Sequence, residues 1–299
     1  TFTWMQLCNR LLQMTGNSLY ADYMETAIYN ALMASLKADA SQIAKYSPLE
    51  GWRHEGEEQC GMHINCCNAN GPRAFAMIPQ FAYQVQDDCV RVNFYAPSEA
   101  ELVLPGKKPV RLKQTTDYPR TDQIEIEVDP AKETAFTIAL RIPAWSKIAT
   151  VSVNGRPEAG VLQGAYLPVN RKWKKGDRIT VKLDLRARLV ERNQAQAIVR
   201  GPIVLARDSR FGDGFVDEAS VVVSKDGYVA LTPVKAPGFA WLAFTAPMVL
   251  GTDLESHRTP RQIHFCDFAS AGNTWDKTQR YRVWLPKTLN VMHSPYKPY

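Results

Sequence analysis

Apolar residues between positions 2 and 14 (Trp4, Met5, Leu7, Cys8, Leu11, Leu12, Met14) recur at helical spacing, and Thr15-Gly16-Asn17 predicts a stop at a glycine C-cap. A second helix is expected over residues 18–36, with Tyr20, Tyr23, Met24, Ala27, Ile28, Ala31, Leu32 and Ser35 along one face. The two make a helical hairpin. Residues 37–65 then lose all periodicity. A stretch that long in a compact protein is either functional or disordered, and its Tyr46, Trp52 and cysteines argue against disorder. A third helix is predicted from Cys66 or Cys67 through Phe75, Ile78 and Phe81.

After Tyr83 the period falls to two. Cys89 to Tyr95, Gln123 to Val128 and Phe136 to Ile142 alternate apolar and polar positions, and Val151-Ser152-Val153 leads into Asn154-Gly155, a strong hairpin signal. Residues 165–169 and 177–183 continue the series around the turn Lys175-Gly176-Asp177. Short strands at this spacing predict an antiparallel β-sandwich. Residues 197–199 and 203–206 flank Arg200-Gly201-Pro202, and less regular strands follow at 220–223, 239–245, 262–268 and 281–285. The expected division is therefore residues 1–84 helical, 85–190 a β-sandwich and 191–299 a second β-rich domain.

Composition adds exclusions. The chain has 299 residues, 45% of them hydrophobic, enough for about two domains with a core in each. A net charge of +6 arises from 36 basic against 30 acidic residues, and the densest basic cluster, Arg171-Lys172-Trp173-Lys174-Lys175, reads as a solvated turn, so nucleic acid is not an expected partner. No apolar run approaches the roughly 18–20 residues of a membrane span. The start, Thr1-Phe2-Thr3-Trp4, has neither an initiating methionine nor the charged region of a signal peptide, and reads as a piece of a longer chain.

Chemistry concentrates in Glu57 to Pro72, EEQCGMHINCCNANGP, which gathers Cys60, His63, Cys66 and Cys67 just ahead of the third helix. At a helix entrance free N–H groups and the macrodipole favour negative charge, so a thiol there ionises readily. Adjacent cysteines bridge each other poorly, because the ring they close departs from ordinary disulfide geometry. The pair therefore suits a metal or catalysis, with small core residues as the alternative. His63 could orient a thiolate or a sugar hydroxyl, or hold the loop by a hydrogen bond. Cys8, Cys89 and Cys266 sit in apolar surroundings and read as core. Trp145 and Trp173 lie beside turns, where tryptophan stacks on sugars or packs a sheet edge.

Several further pieces stand in a definite order: Tyr23-Met24-Glu25 through Tyr29-Asn30, Ser47-Pro48-Leu49-Glu50, Cys66-Cys67, Arg141-Ile142-Pro143-Ala144-Trp145, Val153-Asn154-Gly155, Arg171-Lys172-Trp173 before Gly176-Asp177, and Arg200-Gly201-Pro202. In these pieces the chain resembles glycoside hydrolase family 127, the bacterial β-L-arabinofuranosidase family, and its relatives. The resemblance implies the last helices of an (α/α)6 barrel followed by two antiparallel β-sandwich domains. It implies a retaining exo-glycosidase in which Cys66 is the nucleophile, and in which Cys66 and Cys67 bind zinc together with a Glu-X-Cys pair. That pair and the acid/base glutamate are expected upstream of Thr1, in the missing N-terminal part of the barrel. Zinc accepts three thiolates and a carboxylate and keeps sulfur deprotonated at neutral pH. Cys60, which would overfill such a site, reads as structural.

The resemblance also makes Glu25 a hydrogen-bond partner of the sugar; alternatively it is a solvated carboxylate or a partner for Arg53. Lys45 falls where the family has a substrate-contacting tyrosine, with Tyr46 one position late, and Ile64-Asn65-Cys66-Cys67 replaces a Cys-X-Cys-Cys run. Lys45 in a desolvated pocket would favour an acidic sugar. The implied partner is a glycan, with a homodimer among the arrangements allowed, and cytoplasm and periplasm both stay open. Two rival functions remain: a cysteine hydrolase with a Cys66–His63 dyad, and a non-catalytic carbohydrate-binding or structural zinc protein.

Overall fold

The computed structural model describes residues 1–55, 66–251 and 259–288. These divide into two compact units, one of residues 1–28 and 69–185, the other of residues 29–68 and 186–299. Division by packing cuts across the expected segment 1–84, whose ends go with the first unit and whose middle goes with the second.

The first unit opens with helix α1 (Phe2–Thr15), which buries Met5, Cys8 and Leu12. It ends as expected at Gly16, which takes the left-handed φ of 67° that lets its N–H reach the Leu12 carbonyl. Helix α2 (Leu19–Ala27) follows, and the chain keeps winding through a π-turn at Ile28–Leu32 and a 3-10 turn at Met33–Ser35. Helix α3 (Cys66–Ala82) carries the cysteine pair and accommodates Pro72 and Pro79, each removing one backbone donor from the ladder.

Most of the described chain is strand. In the first unit Ala165–Trp173, Thr134–Ile142, Cys89–Val92 and Tyr83–Gln86 form a four-stranded sheet in that order. Cys89–Val92 runs parallel to Thr134–Ile142, a departure from the all-antiparallel expectation. Between those two strands the chain builds three strands of the other sheet and returns in its original direction. That second sheet has six strands, Ser98–Leu104, Lys108–Thr116, Gln123–Pro130, Asp177–Lys182, Thr150–Val153 and Arg156–Pro157, all antiparallel. Its alternation is plain at Ile124, Ile126 and Val128, which are buried while Gln123 and Glu125 are exposed. Asn154-Gly155 makes the predicted hairpin turn with φ of 51° and 77°.

The second unit is built on a twelve-stranded sheet among the described residues. Ile203, Leu205, Phe244, Met248, Ile263 and Phe265 form the centre of one core cluster. Ala34, Cys266, Phe268, Tyr281 and Val283 form another, so the chain just after α2 is packed into this β-rich body. No helix among the described residues is long and apolar enough to cross a membrane.

Candidate functional site

Cys66 and Cys67 are the first described residues of α3, Cys66 exposed and Cys67 partly so, neither of them in a disulfide. The two are adjacent in the chain and close enough for the charge of one to act on the other. Burial pushes the Cys67 thiol up, and the charge of Cys66 pushes it further; Lys45 works in the opposite direction. Without a cation the pair thus resists carrying two negative charges.

Lys45 is half-buried and close enough for its charge to act on Cys67. Its ammonium stands 5.4 Å from the centre of the Tyr46 ring, which is itself 68% exposed. Lys45 has no carboxylate partner among the described residues. Four of the candidate residues, Lys45, Tyr46, Cys66 and Cys67, therefore share one unit. His63 and Cys60 lie outside the described residues.

Glu25 belongs to the other unit and is 2% exposed. Its Oε1 accepts hydrogen bonds from Arg141 Nη2 at 2.6 Å and from the Tyr118 hydroxyl at 2.8 Å. One turn earlier Asp22 takes Arg141 Nη1 at 2.5 Å and the Ala144 N–H at 2.9 Å. A carboxylate so enclosed holds a buried arginine. Glu25 is therefore not a solvated carboxylate, and its ion-pair partner is Arg141 rather than Arg53. Trp173 is fully buried with its N–H on the Phe136 carbonyl, and Trp145 is buried too, so neither offers a face to a sugar. Cys8 and Cys266 are buried as expected, but Cys89 lies half-exposed on its strand.

The loop ahead of the cysteines is anchored by residues that its sequence does not announce. Ser47 Oγ donates to the Ala31 carbonyl, Tyr281 OH to the Pro48 carbonyl, and Val283 N–H to the Leu49 carbonyl. Glu50–Gly51 pairs as a short strand with Tyr281–Arg282, and Glu50 also pairs with Arg282 at 2.7 Å. Arg53, fully buried, donates to the carbonyls of Phe268 and Ala269. Its guanidinium stands 4.9 Å and 5.0 Å from the ring centres of Phe268 and Tyr281. No spacing rule links Pro48 to a tyrosine 233 positions later.

Two family models match the chain. The one described as Beta-L-arabinofuranosidase, GH127 catalytic domain, covers residues 1–80, and the GH127 middle domain covers residues 89–185. The chain belongs to a glycoside hydrolase family 127-like group. The non-reducing end beta-L-arabinofuranosidase of Bifidobacterium longum subsp. longum is 27% identical over 222 residues, 65% of this chain and 32% of that protein. A solved GH127 beta-arabinofuranosidase aligns over 95% of the chain and 48% of its own, with a TM-score of 0.79 and 23% identity. The GH127 beta-L-arabinofuranosidase of Geobacillus stearothermophilus T6 aligns over 95% and 49%, with a TM-score of 0.77 and 21% identity. The chain thus spans between about a third and a half of these family 127 relatives, and shares the fold of the part it spans.

Zinc would fit this cysteine pair as half of a site. Two thiols adjacent in the chain are suitable donors, and the resistance of Cys67 to ionising next to Cys66 is what a divalent cation relieves. Among the described residues no group of three or more His, Cys, Asp and Glu side chains could hold a metal ion, so the remaining ligands would come from elsewhere.

Proposed function

We propose that the chain is the C-terminal portion of a retaining exo-glycosidase that removes a terminal arabinofuranoside or related sugar, with Cys66 as nucleophile. The helices would complete an (α/α)6 barrel, and the β-rich parts would be the two sandwich domains that follow it. The observation that carries the reading is an exposed thiol next to a second one in α3, inside the segment matched by the catalytic-domain model.

Cys66 and Cys67 would hold zinc with a Glu-X-Cys pair supplied upstream; bound there, the ion would keep both sulfurs as thiolates at neutral pH. The Cys66 sulfur attacks the anomeric carbon as the glycosidic C–O bond breaks, and the departing oxygen takes a proton from an acid upstream of this chain. Water then displaces sulfur at the same carbon, giving its proton to that now basic group. Two inversions leave the configuration retained. Cys67 only holds the ion.

Lys45 refines the substrate. An ammonium beside the thiols, with no carboxylate partner among the described residues, favours a sugar that brings its own, so this branch would prefer an acidic glycoside. In the full-length enzyme, Lys45→Met should erase a several-fold preference for carboxylated over neutral glycosides. Equal rates for the unaltered enzyme on both would end that refinement.

The main test is covalent labelling. A slow substrate or mechanism-based inhibitor should leave a sugar on residue 66 in the digested full-length protein, and Cys66→Ser should lower turnover by orders of magnitude. Cys67→Ser should chiefly lower bound zinc, measured by elemental analysis. A label on a carboxylate, with Cys66→Ser still active, would remove cysteine catalysis and leave the pair as a structural clasp.

A further inference from the structure

Lys45 and Tyr46 form a two-residue tip held on both sides. On one side Ala44 is buried, with its N–H on the Ser35 carbonyl at 2.7 Å; on the other, Ser47 Oγ reaches the Ala31 carbonyl at 2.9 Å. Beyond Ser47 each residue through Gly51 is tied to the strand segment 281–283, and Arg53 to 268 and 269. Tyr281 is the common member. Its hydroxyl holds Pro48, its backbone pairs with Gly51 on one side and Asp208 on the other, and its ring lies against Arg53. The ring is fully buried, and at Gly272 a Cβ would come within 2.5 Å of it, so the ring has one place to sit. Arg53 adds a fork that a lysine cannot reproduce, with two guanidinium nitrogens on two successive carbonyls.

We propose that Tyr281 and Arg53 are positioning residues for the sugar-binding tip Lys45–Tyr46, fixing where the tip stands relative to the Cys66–Cys67 pair; this rests on the reading of that pair as a glycosidase site. Neither residue touches the sugar. Both act by holding residues 47–53 against the β-rich body of their own unit, and displacements of an ångström in such supports weaken binding.

The test is a double-mutant cycle in the full-length enzyme acting on a β-L-arabinofuranoside. Tyr281→Phe keeps the ring and removes only the bond to Pro48; it should raise KM about fivefold with kcat within about twofold. Tyr46→Ala, at the other residue of the tip, should also raise KM, and adding Tyr281→Phe to it should cost little more, because the hydroxyl acts through the tip. Arg53→Lys, which keeps the charge and loses the fork, should give the same signature and serves if Tyr281→Phe fails to fold. Additive effects, or an unchanged KM in the folded variant, overturn the assignment even where Cys66 takes the sugar label. Absence of any label on Cys66 overturns the underlying reading and this inference with it.

Discussion

Arg141 is a cation removed from water, and one turn of α2 keeps it charged. Burial opposes the charge, yet Glu25 and then Asp22 more than reverse that, holding the guanidinium well above its ordinary range. Its Nε also donates to the Asn93 carbonyl at 2.5 Å, and the Tyr95 hydroxyl donates to the Arg141 carbonyl at 2.7 Å. Buried pairs of this kind are weak evidence of net stability, but breaking one leaves the survivors uncompensated. Arg141→Met strands two carboxylates, so it should cost about 3–5 kcal/mol in equilibrium denaturation. A loss below about 1 kcal/mol would mean that water reaches Asp22 and Glu25. The pairing of Glu25 with Arg141 was not legible in the sequence. Residue type and position on the helix were visible, whereas the arginine that claims it stands 116 positions away.

At the scale of elements, the Asn154-Gly155 turn is closed by the residue that opens the neighbouring strand, Asp177–Lys182. Asn154 donates to Asp177 Oδ1 at 2.8 Å and accepts the Arg178 N–H at 2.9 Å, while Asp177 Oδ2 accepts the Lys174 N–H. Burial raises the Asp177 carboxyl, but the bonds from Lys174 and Asn154 bring it below its ordinary value of 3.8. A depressed carboxyl stabilises the fold above its unfolded pKa and loses that contribution as pH falls through the folded one. Asn154→Ala should cost about 1–2 kcal/mol near neutrality. The gap to the unaltered protein in denaturant midpoint should narrow below pH ~4, as Asp177 takes its proton. A gap that stays constant into acid would separate Asn154 from Asp177.

The elements themselves were largely legible, because each period survives in the buried positions. Gly16 stops α1, residues 66–82 are helical, and Ile124, Ile126 and Val128 face inward as alternation requires. Ser98–Leu104 was not picked out: its burial alternates, but as an edge strand only Leu104 in it is fully buried, and the inward Ser98 and Ala100 are not large apolar residues. What sequence could not supply was pairing. Tyr29-Asn30 and Arg200-Gly201-Pro202 looked like separate motifs, yet Asn30 donates to the Pro202 carbonyl and accepts the Val204 N–H. Ser47 to Glu50 meets residues 281–283 in the same way, and Asn154 meets Asp177. The cysteine pair was legible since its chemistry is local to two adjacent residues; Arg53 and Tyr281 were not, since their work is done across more than two hundred positions.

For the whole chain these separate clasps share one consequence at high pH. Burial raises Tyr83 and Tyr95 in the first unit and brings Tyr166 to about 12. In the second unit burial raises Tyr281 and holds Cys266 well above its ordinary 9.0. Each of these groups keeps its proton in the folded chain where an unfolded chain would have lost it. The sign follows: a raised folded pKa gives stability that is complete below the unfolded value and is lost as pH rises toward the folded one. Between those limits each group removes about 1.4 kcal/mol per pH unit. Cys266 begins the decline above pH ~9 and the tyrosines add to it above pH ~10, so the melting temperature should hold level near neutrality and then fall with growing slope. The tyrosine part is separable by ultraviolet titration of phenolate absorbance. Ionisation of the buried tyrosines should coincide with loss of ellipticity rather than precede it. Cys266→Ala should delay the onset of the decline without changing the later slope. A melting temperature that stays constant from pH 9 to 11, or phenolate signal from all twelve tyrosines while the fold persists, would show that water and hydroxide reach these side chains in the native state.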